Sequence, residues 1–174
     1  RRSTDGISDP GFFMLGGHRF NDDKPGGHGY VNMYRSIAES CDTFYYQLGN
    51  EMGIDRLSAF MRPFGFGEAT GIDLDHEKTG VLPSKEWKAE RFKRNRAAQK
   101  WVGGDTISVS IGQGFNNYTM IQLAHAVANL ANNGVVMKPH LVKLIEDGAT
   151  RQRTMTVAKE TRRIPLKQEN IDFI

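Results

Sequence analysis

Three adjacent side chains in the segment SCD are the first candidates for chemistry: Ser40, Cys41 and Asp42. If the backbone is extended at this point, Ser40 and Asp42 lie on the same side of the chain, as a proton-relay pair requires. A structural interpretation is also open, in which Ser40 ends one helix and Asp42 is the N-cap of the next. Cys41 is the only cysteine of the 174 residues, so it forms no disulfide within the chain.

Potential metal ligands precede this segment in a glycine-rich stretch, residues 1–30, which we expect to be mostly loop. Loops of this length are usually functional or held by something other than a core, and a metal ion would hold this one. Zinc accepts thiolate, imidazole and carboxylate ligands. A lone cysteine is also typical of a small buried core residue, and both interpretations stay open for Cys41. The candidate ligands in this stretch are Asp9, His18, Asp22, Asp23 and His28.

The elements that must position these residues follow from hydrophobic spacing and helix-stop residues. Residues 31–134 are predicted to be mainly helical, with one helix before SCD, a second that ends at Gly53 and a third that Pro63 and Gly65 stop. The clearest helix lies within residues 118–134. Residues 135–174 predict one strand and the start of a helix. We therefore expect a helix-rich α+β fold in a single partial domain over residues 1–174.

The composition and net charge indicate a globular domain and argue against a nucleic-acid-binding protein. Hydrophobic residues make up 39% of the chain and charged residues 25%, which indicates a globular domain. The net charge of +3 is too mild for a protein organised around a polyanion, so we expect no nucleic-acid partner. Cations cluster in residues 85–100 but fall on all sides of a helix, which is typical of a solvated surface. The chain starts without methionine, so we expect a piece of a longer protein.

Longer segments resemble a known family. RSIAESCDTFYYQLGNEMGIDRL, FGFGEATGIDL and SIGQGFNNYTMIQLAHAVANLANNGVVMKPHLV occur in the order and rough spacing of penicillin-binding transpeptidases. The stretches DPG, GHG and TFYYQ, with aspartate as the third residue of S-x-D, resemble the class B, elongation-type group called penicillin-binding protein 2. The resemblance implies the serine β-lactamase and penicillin-binding transpeptidase-like fold, and an enzyme that cross-links peptidoglycan stem peptides.

The resemblance also implies roles for the SCD segment. Ser40 would relay a proton, and Asp42 would orient that relay and contact the stem peptide. The nucleophilic serine and its lysine belong to an S-x-x-K motif, which none of the 174 residues forms. The implied partners are the stem peptide or its lipid-linked precursor, β-lactams and a membrane glycosyltransferase of the elongation complex. The implied location is the periplasmic face of the bacterial inner membrane.

Two further motifs are interpreted as structural. Lys78, Thr79 and Gly80 spell the K-T-G of the family's third motif, but 35 residues separate them from Asp42 and their flanks are turn-like. They also precede the GQG block instead of following it, so we interpret them as a coincidence. Gly112 and Gly114 of GQG lack the length and context of a phosphate loop, and we expect them to serve close backbone packing.

The resemblance finally implies a zinc site. Members of the group that carry this cysteine hold zinc with two aspartates, a histidine and the cysteine, which match Asp9, Asp22, His28 and Cys41 here. Some relatives have alanine at the cysteine position, so zinc is not universal in the group. Two other functions stay open: a serine β-lactamase or D,D-carboxypeptidase of the same fold, and a zinc-stabilised binding module without chemistry of its own.

Overall fold

A computed structural model describes residues 4–174, and the chain divides into two compact units. The first unit comprises Arg1–Ser58 and Pro83–Asn116, and the second comprises Ala59–Leu82 and Asn117–Ile174. Each unit combines helices with short antiparallel strand pairs in separate runs along the chain, as the α+β prediction requires. Within the described residues, no helix combines the length and the apolar character needed to span a bilayer.

The glycine-rich stretch is not mostly loop, and that prediction was wrong. It forms two antiparallel pairs, in which β1 (Gly6–Asp9) pairs with β4 (Gly29–Asn32) and β2 (Phe12–Leu15) pairs with β3 (His18–Asn21). The strands were missed because each has only four residues, too few for a period-2 pattern to register among the glycines. Gly16 and Gly17, both at positive φ, form the two-residue turn of the β2–β3 hairpin.

The helices around SCD agree with the sequence, with one correction. Helix α1 (Met33–Ala38) precedes the segment, and α2 (Asp42–Met61) starts at Asp42 and is interrupted at Gly53, which has a non-helical backbone. Asp42 therefore lies in the first turn of α2, and the residue in the N-cap position is Cys41, not Asp42 as the structural interpretation of the segment has it. The thiol suits that position because its sulfur accepts from the backbone N–H of Phe44.

The remaining helices of the first unit are α3 (Lys85–Arg91), α4 (Arg96–Gln99) and α5 (Gly103–Ser110). Most cations of residues 85–100 are exposed, as expected, but Lys88 is buried. Its Nζ lies 2.5 Å from Asp105 Oδ2 and 5.2 Å from the centre of the Phe115 ring. A buried cation needs such a partner. The sequence could not reveal it, because Asp105 lies 17 positions away.

The second unit contains a 3₁₀ turn (Arg62–Phe64), α6 (Met120–Ala131), four strands and α7 (Gln168–Ile171). Strand β5 (Val135–Met137) pairs with β8 (Glu160–Arg163), and β6 (Leu144–Glu146) pairs with β7 (Arg153–Met155). The sequence predicted one strand after residue 135, and the others were missed because they are short and mostly exposed. The core of this unit consists of Phe64, Phe66, Ala126, Val136 and Ile164.

The K-T-G triplet lies in this unit, outside any strand. The Gln122 side-chain amide donates to the carbonyls of Thr79 and Glu68, each at 2.7 Å, and so fixes the segment as a loop. Gln122 also completes a capping box with Thr119 at the start of α6. This geometry supports our interpretation of the triplet as a coincidence, because the family's third motif requires a strand.

Candidate metal centre and serine turn

Four side chains predicted as metal ligands converge in the first unit. One ligand atom from each of Asp9, Asp22, His28 and Cys41 lies within 4.8 Å of the other three. Asp9 Oδ2 is 2.8 Å from His28 Nδ1, and the same nitrogen is 3.4 Å from Asp22 Oδ1. Cys41 Sγ is 3.6 Å from a carboxylate oxygen of each aspartate. All four side chains are at least nine-tenths buried.

The fold brings these residues together through two strand ends and one helix start. Asp9 is the last residue of β1 and pairs with Gly29 of β4, so His28 enters beside it. Asp22 follows β3, and its Oδ2 accepts from the backbone N–H of Thr43 at 2.7 Å, in the first turn of α2. That bond places the Asp22 carboxylate next to Cys41. The ligand set is therefore assembled mainly by backbone hydrogen bonds.

Gly27 permits the closest approach in this assembly. A Cβ atom at Gly27 would lie 2.2 Å from the Asp9 carbonyl oxygen and 2.3 Å from the Gly11 nitrogen, far inside van der Waals contact. Gly11 in turn donates its N–H to Asp9 Oδ1 at 2.7 Å. Gly11 and Gly27 are thus required because the two ligand-bearing segments touch through their backbones at these two residues.

The electrostatics of the cluster favour a bound cation. Burial opposes the charge of Asp9, but the N–H groups of Gly11 and His28 and the His28 ring outweigh it and lower the Asp9 pKa to about 2. Burial, and then the charges of Asp22 and Asp9, raise the pKa of the Cys41 thiol to about 12. Two buried carboxylates and a thiol therefore meet without a lysine or arginine among them. A divalent ion would compensate the carboxylates and remove the thiol proton.

Three of the separations between these side chains match a zinc tetrahedron. Ordinary Zn–S and Zn–O or Zn–N bonds in a tetrahedron separate a sulfur from an oxygen by about 3.6 Å, and a nitrogen from an oxygen by about 3.4 Å. The corresponding separations here are 3.6 Å for Cys41 to each aspartate and 3.4 Å for His28 to Asp22. Asp9 Oδ2 and His28 Nδ1 are closer, at the hydrogen-bond distance of 2.8 Å, and would move apart to bind the ion. His18 and Asp23, the other candidates, are exposed and outside the ligand set, although Asp23 Oδ1 lies 3.9 Å from His28 Nε2.

Ser40 occupies a strained position between α1 and α2. The backbone N–H of Cys41 donates to the Ser36 carbonyl at 3.1 Å, the long bond of a Schellman helix end. In that motif the residue at the place of Ser40 has a left-handed backbone and is usually glycine. Ser40 has φ 56 and an exposed side chain. Serine therefore occupies a position at which glycine would cost less backbone strain.

The matches with known proteins decide the family. Residues 7–174 match the model of the penicillin binding protein transpeptidase domain. The chain belongs to the penicillin-binding protein transpeptidase family. The resemblance given by the sequence is thereby confirmed.

Relatives of this transpeptidase segment are identical to it at about half of the aligned positions. It is 50% identical over 139 residues, 79% of the chain, to the peptidoglycan D,D-transpeptidase MrdA of Acinetobacter baumannii, and 49% identical over 145 residues, 82% of the chain, to that of Escherichia coli. The chain covers 20% and 22% of the length of these two proteins. It therefore spans about a fifth of the curated relatives that it matches.

Solved structures confirm the predicted fold. A crystal structure of Pseudomonas aeruginosa PBP2 superposes with a TM-score of 0.82 at 35% identity, over 98% of this chain and 37% of that one. A complex of PBP2 and MreC from Helicobacter pylori gives a TM-score of 0.78 at 34% identity, over 99% of this chain and 29% of that one. The penicillin-binding transpeptidase fold, predicted from the resemblance, is thus shown.

Asp42 lies beside the ligand cluster of this transpeptidase segment. It is half-buried at the start of α2, and burial, followed by the negative charges of Asp22 and Asp23, raises its pKa. The Asp42 carboxylate therefore responds to the charge of the cluster, and a bound cation would offset this effect. The two predicted functions of the SCD segment, metal ligation and relay chemistry, are in this way electrostatically linked.

Gly27→Ala should damage the metal centre more than a matched glycine substitution. Gly26 has nearly the same φ, 84 against 78, but a Cβ there meets nothing within 4 Å. Gly26→Ala should therefore cost only the backbone strain, about 1 kcal/mol, whereas Gly27→Ala adds a backbone clash and should cost about 3 kcal/mol or more. The melting temperature, measured by calorimetry, and the zinc content should be determined for the whole protein carrying each substitution. Equal losses from the two variants would show that the close approach at Gly27 is unimportant.

Sequence reasoning missed residues that hold the site through their backbones. Gly27 gave a signal in the doubled glycine of GGHG, but its contact with Asp9 depends on a strand pairing that we did not predict. Thr43 gave none, because the group that holds Asp22 is a backbone N–H, which nearly every residue type provides. Of the two GQG glycines, Gly114 packs as predicted, with 3.0 Å between an added Cβ and Ser108 Cβ, whereas the space at Gly112 is open.

Proposed function

We propose that the whole protein to which this chain belongs is a peptidoglycan D,D-transpeptidase of the cell-elongation machinery and a target of β-lactams. The observation that carries the proposal is the Ser40 hydroxyl, held on a left-handed turn of S-x-D in a chain of the transpeptidase family. Relatives at 49–50% identity are described as peptidoglycan D,D-transpeptidases. This supports transpeptidation over the β-lactamase, D,D-carboxypeptidase and binding-module alternatives.

In the proposed reaction the nucleophile is the serine of an S-x-x-K motif, which the 174 residues do not contain. Its oxygen bonds to the carbonyl carbon of the penultimate D-alanine of a stem peptide, and the terminal D-alanine leaves as an amine. An amine of a neighbouring stem peptide then displaces the serine. Ser40 relays the proton between the lysine of that motif and the departing amine, while Asp42 orients the relay and contacts the stem peptide.

Asp9, Asp22, His28 and Cys41 would hold one structural zinc ion. When bound, the ion supplies positive charge and a four-way cross-link and takes no part in the chemical step. The chain's own contribution is positional. The hydrogen bond from Thr43 N–H to Asp22 joins the cluster to the start of α2, and Cys41 directly follows Ser40. Fixing the Cys41 sulfur therefore fixes the turn that presents the Ser40 hydroxyl.

The location and partners follow from the same proposal. A transpeptidase of elongation acts at the periplasmic face of the inner membrane, on stem peptides of peptidoglycan or of its lipid-linked precursor. The structural relatives include a PBP2 bound to MreC and a peptidoglycan synthase complex described as coordinating polymerization and crosslinking. By analogy, we propose a membrane glycosyltransferase of the elongation complex as a partner of the whole protein.

A fluorescent penicillin tests the proposed activity directly. The whole protein should be labelled at one serine per molecule, within an S-x-x-K motif, and a D-alanine-terminated peptide should compete. The 174-residue chain should not be labelled, because it has no such motif. A whole protein that fails to react, or that is labelled at a serine of this chain, would contradict the proposal.

A further inference from the structure

Arg35 connects the metal-ligand segment to the turn of Ser40. It lies on α1, and the nitrogens of its guanidinium reach in two directions. Towards β4, Nη2 donates to the His28 carbonyl at 3.2 Å and Nη1 donates to the Tyr30 carbonyl. Towards the end of α1, Nε and Nη2 donate to the two carboxylate oxygens of Glu39 at 2.6 and 3.0 Å. Glu39 directly precedes Ser40 in the chain.

We infer that Arg35 is a positioning residue for Ser40, through which the segment carrying His28 sets the geometry of the serine turn. This inference rests on the proposed function, since it assigns a residue to the same reaction. The fork geometry matters because arginine donates two parallel bonds to a carboxylate and still reaches a carbonyl, which lysine cannot do.

The local structure shows why one side chain has this influence. The Ser40 turn is strained and is bounded by the C-cap residue Glu39 on one side and the N-cap residue Cys41 on the other. Cys41 is fixed by burial among the metal ligands. Glu39 is one-third exposed and held by Arg35, which also lowers the pKa of its carboxyl group. Both neighbours of Ser40 are therefore held in place. The metal-ligand cluster holds Cys41, and Arg35 holds Glu39.

A purely structural role for Arg35 is the competing explanation, because arginine and glutamate four residues apart stabilise many helices. The two explanations predict different effects of an Arg35 substitution. A helix-stabilising pair affects the stability of the protein and acts independently of the Ser40 side chain. A positioning residue affects the chemical step only while the Ser40 hydroxyl is present.

The experiment is a double-mutant cycle in the whole protein, with the rate constant of acylation by a β-lactam as the readout. Arg35→Gln should lower that rate constant about tenfold, while the dissociation constant of the non-covalent complex and the zinc content stay unchanged. Arg35→Lys should recover only part of the loss. In a Ser40→Gly background, Arg35→Gln should change the rate constant less than twofold. Arg56→Gln, at an exposed arginine of α2, is the matched control and should have no effect.

Each alternative outcome has a distinct meaning. An equal loss from Arg35→Gln with and without the Ser40 hydroxyl, or no loss at all, overturns the inference. If Arg35→Gln does not fold, Glu39→Ala decides instead. This variant removes the two hydrogen bonds between Arg35 and the Glu39 carboxylate but keeps those to the His28 and Tyr30 carbonyls. It should lower the rate constant of acylation about threefold, and this effect should disappear in the Ser40→Gly background. If Ser40→Gly alone leaves acylation unchanged, the proposed relay fails, whatever Arg35 does.

Discussion

Cys41→Ala and His28→Ala should each abolish the binding of one zinc ion by the whole protein and lower its melting temperature. The reason is that a bound zinc ion contributes far more free energy to folding than a packed cysteine does. Structural zinc in small peptides contributes roughly 10 to 16 kcal/mol at neutral pH, whereas a packed, metal-free cysteine contributes only about 1 to 2 kcal/mol. Removal of the ion by a chelator should have a similar effect. Elemental analysis of protein purified without chelator, followed by calorimetry, provides the measurements.

The chain offers matched controls for this experiment. His18 and Asp23 were candidate ligands in the same glycine-rich stretch, but both are exposed and outside the ligand set. His18→Ala and Asp23→Asn should therefore keep a full equivalent of zinc, in contrast to His28→Ala and Asp22→Asn. Protein that contains no zinc as purified, with Cys41→Ala costing only about 1 to 2 kcal/mol, would leave Cys41 a residue of the core formed with Ile7, Val31 and Phe44.

Removal of the Ser40 hydroxyl should slow acylation of the whole protein by a β-lactam by about two orders of magnitude, as expected for a general acid-base group. The left-handed backbone at this residue makes Ser40→Gly the sharper substitution. Glycine relieves the strain and should leave the melting temperature equal or higher, whereas Ser40→Ala keeps the strain. Stopped-flow acylation and calorimetry of both variants separate lost chemistry from lost stability.

Lys78→Ala is the control for the motif assignment. Lys78 is exposed in a loop of the second unit, and we expect the variant to acylate at nearly the normal rate. A comparable loss from Lys78→Ala and Ser40→Gly would show that the third motif has been misplaced. Normal acylation in both Ser40 variants would instead remove Ser40 from the reaction.

The parts of this site that depend on residue type could be predicted from the sequence, whereas the parts that depend on contacts between distant segments could not. The residue types of the proposed zinc site and of S-x-D are fixed in sequence, and the resemblance to the family assigned all of them. What the sequence could not show is how they meet. Four-residue strands have no detectable period, so the pairing of Asp9 with Gly29 was invisible, and with it the backbone contact at Gly27.

Backbone geometry was the second limit. One interpretation of the SCD segment placed Ser40 and Asp42 on an extended chain, and the other placed a helix end before a helix start. Ser40 has a left-handed backbone after α1 and Asp42 already belongs to α2, so the second interpretation describes the backbone. A serine rarely adopts that conformation, so no propensity scale would assign it. Helix α6 was predicted correctly for the opposite reason, because its start and stop depend on Thr119, Gln122 and Gly134, whose effects are local.

The short spacing of the ligands bears on the order in which the protein folds. All four lie between residues 9 and 41, so closing the loops between them costs little chain entropy. The first unit, by contrast, is completed by Pro83–Asn116, which returns from far along the chain. Contacts between near neighbours form faster than distant ones. The proposed zinc ion would therefore bind early in folding, and would fix the serine turn before the first unit is complete.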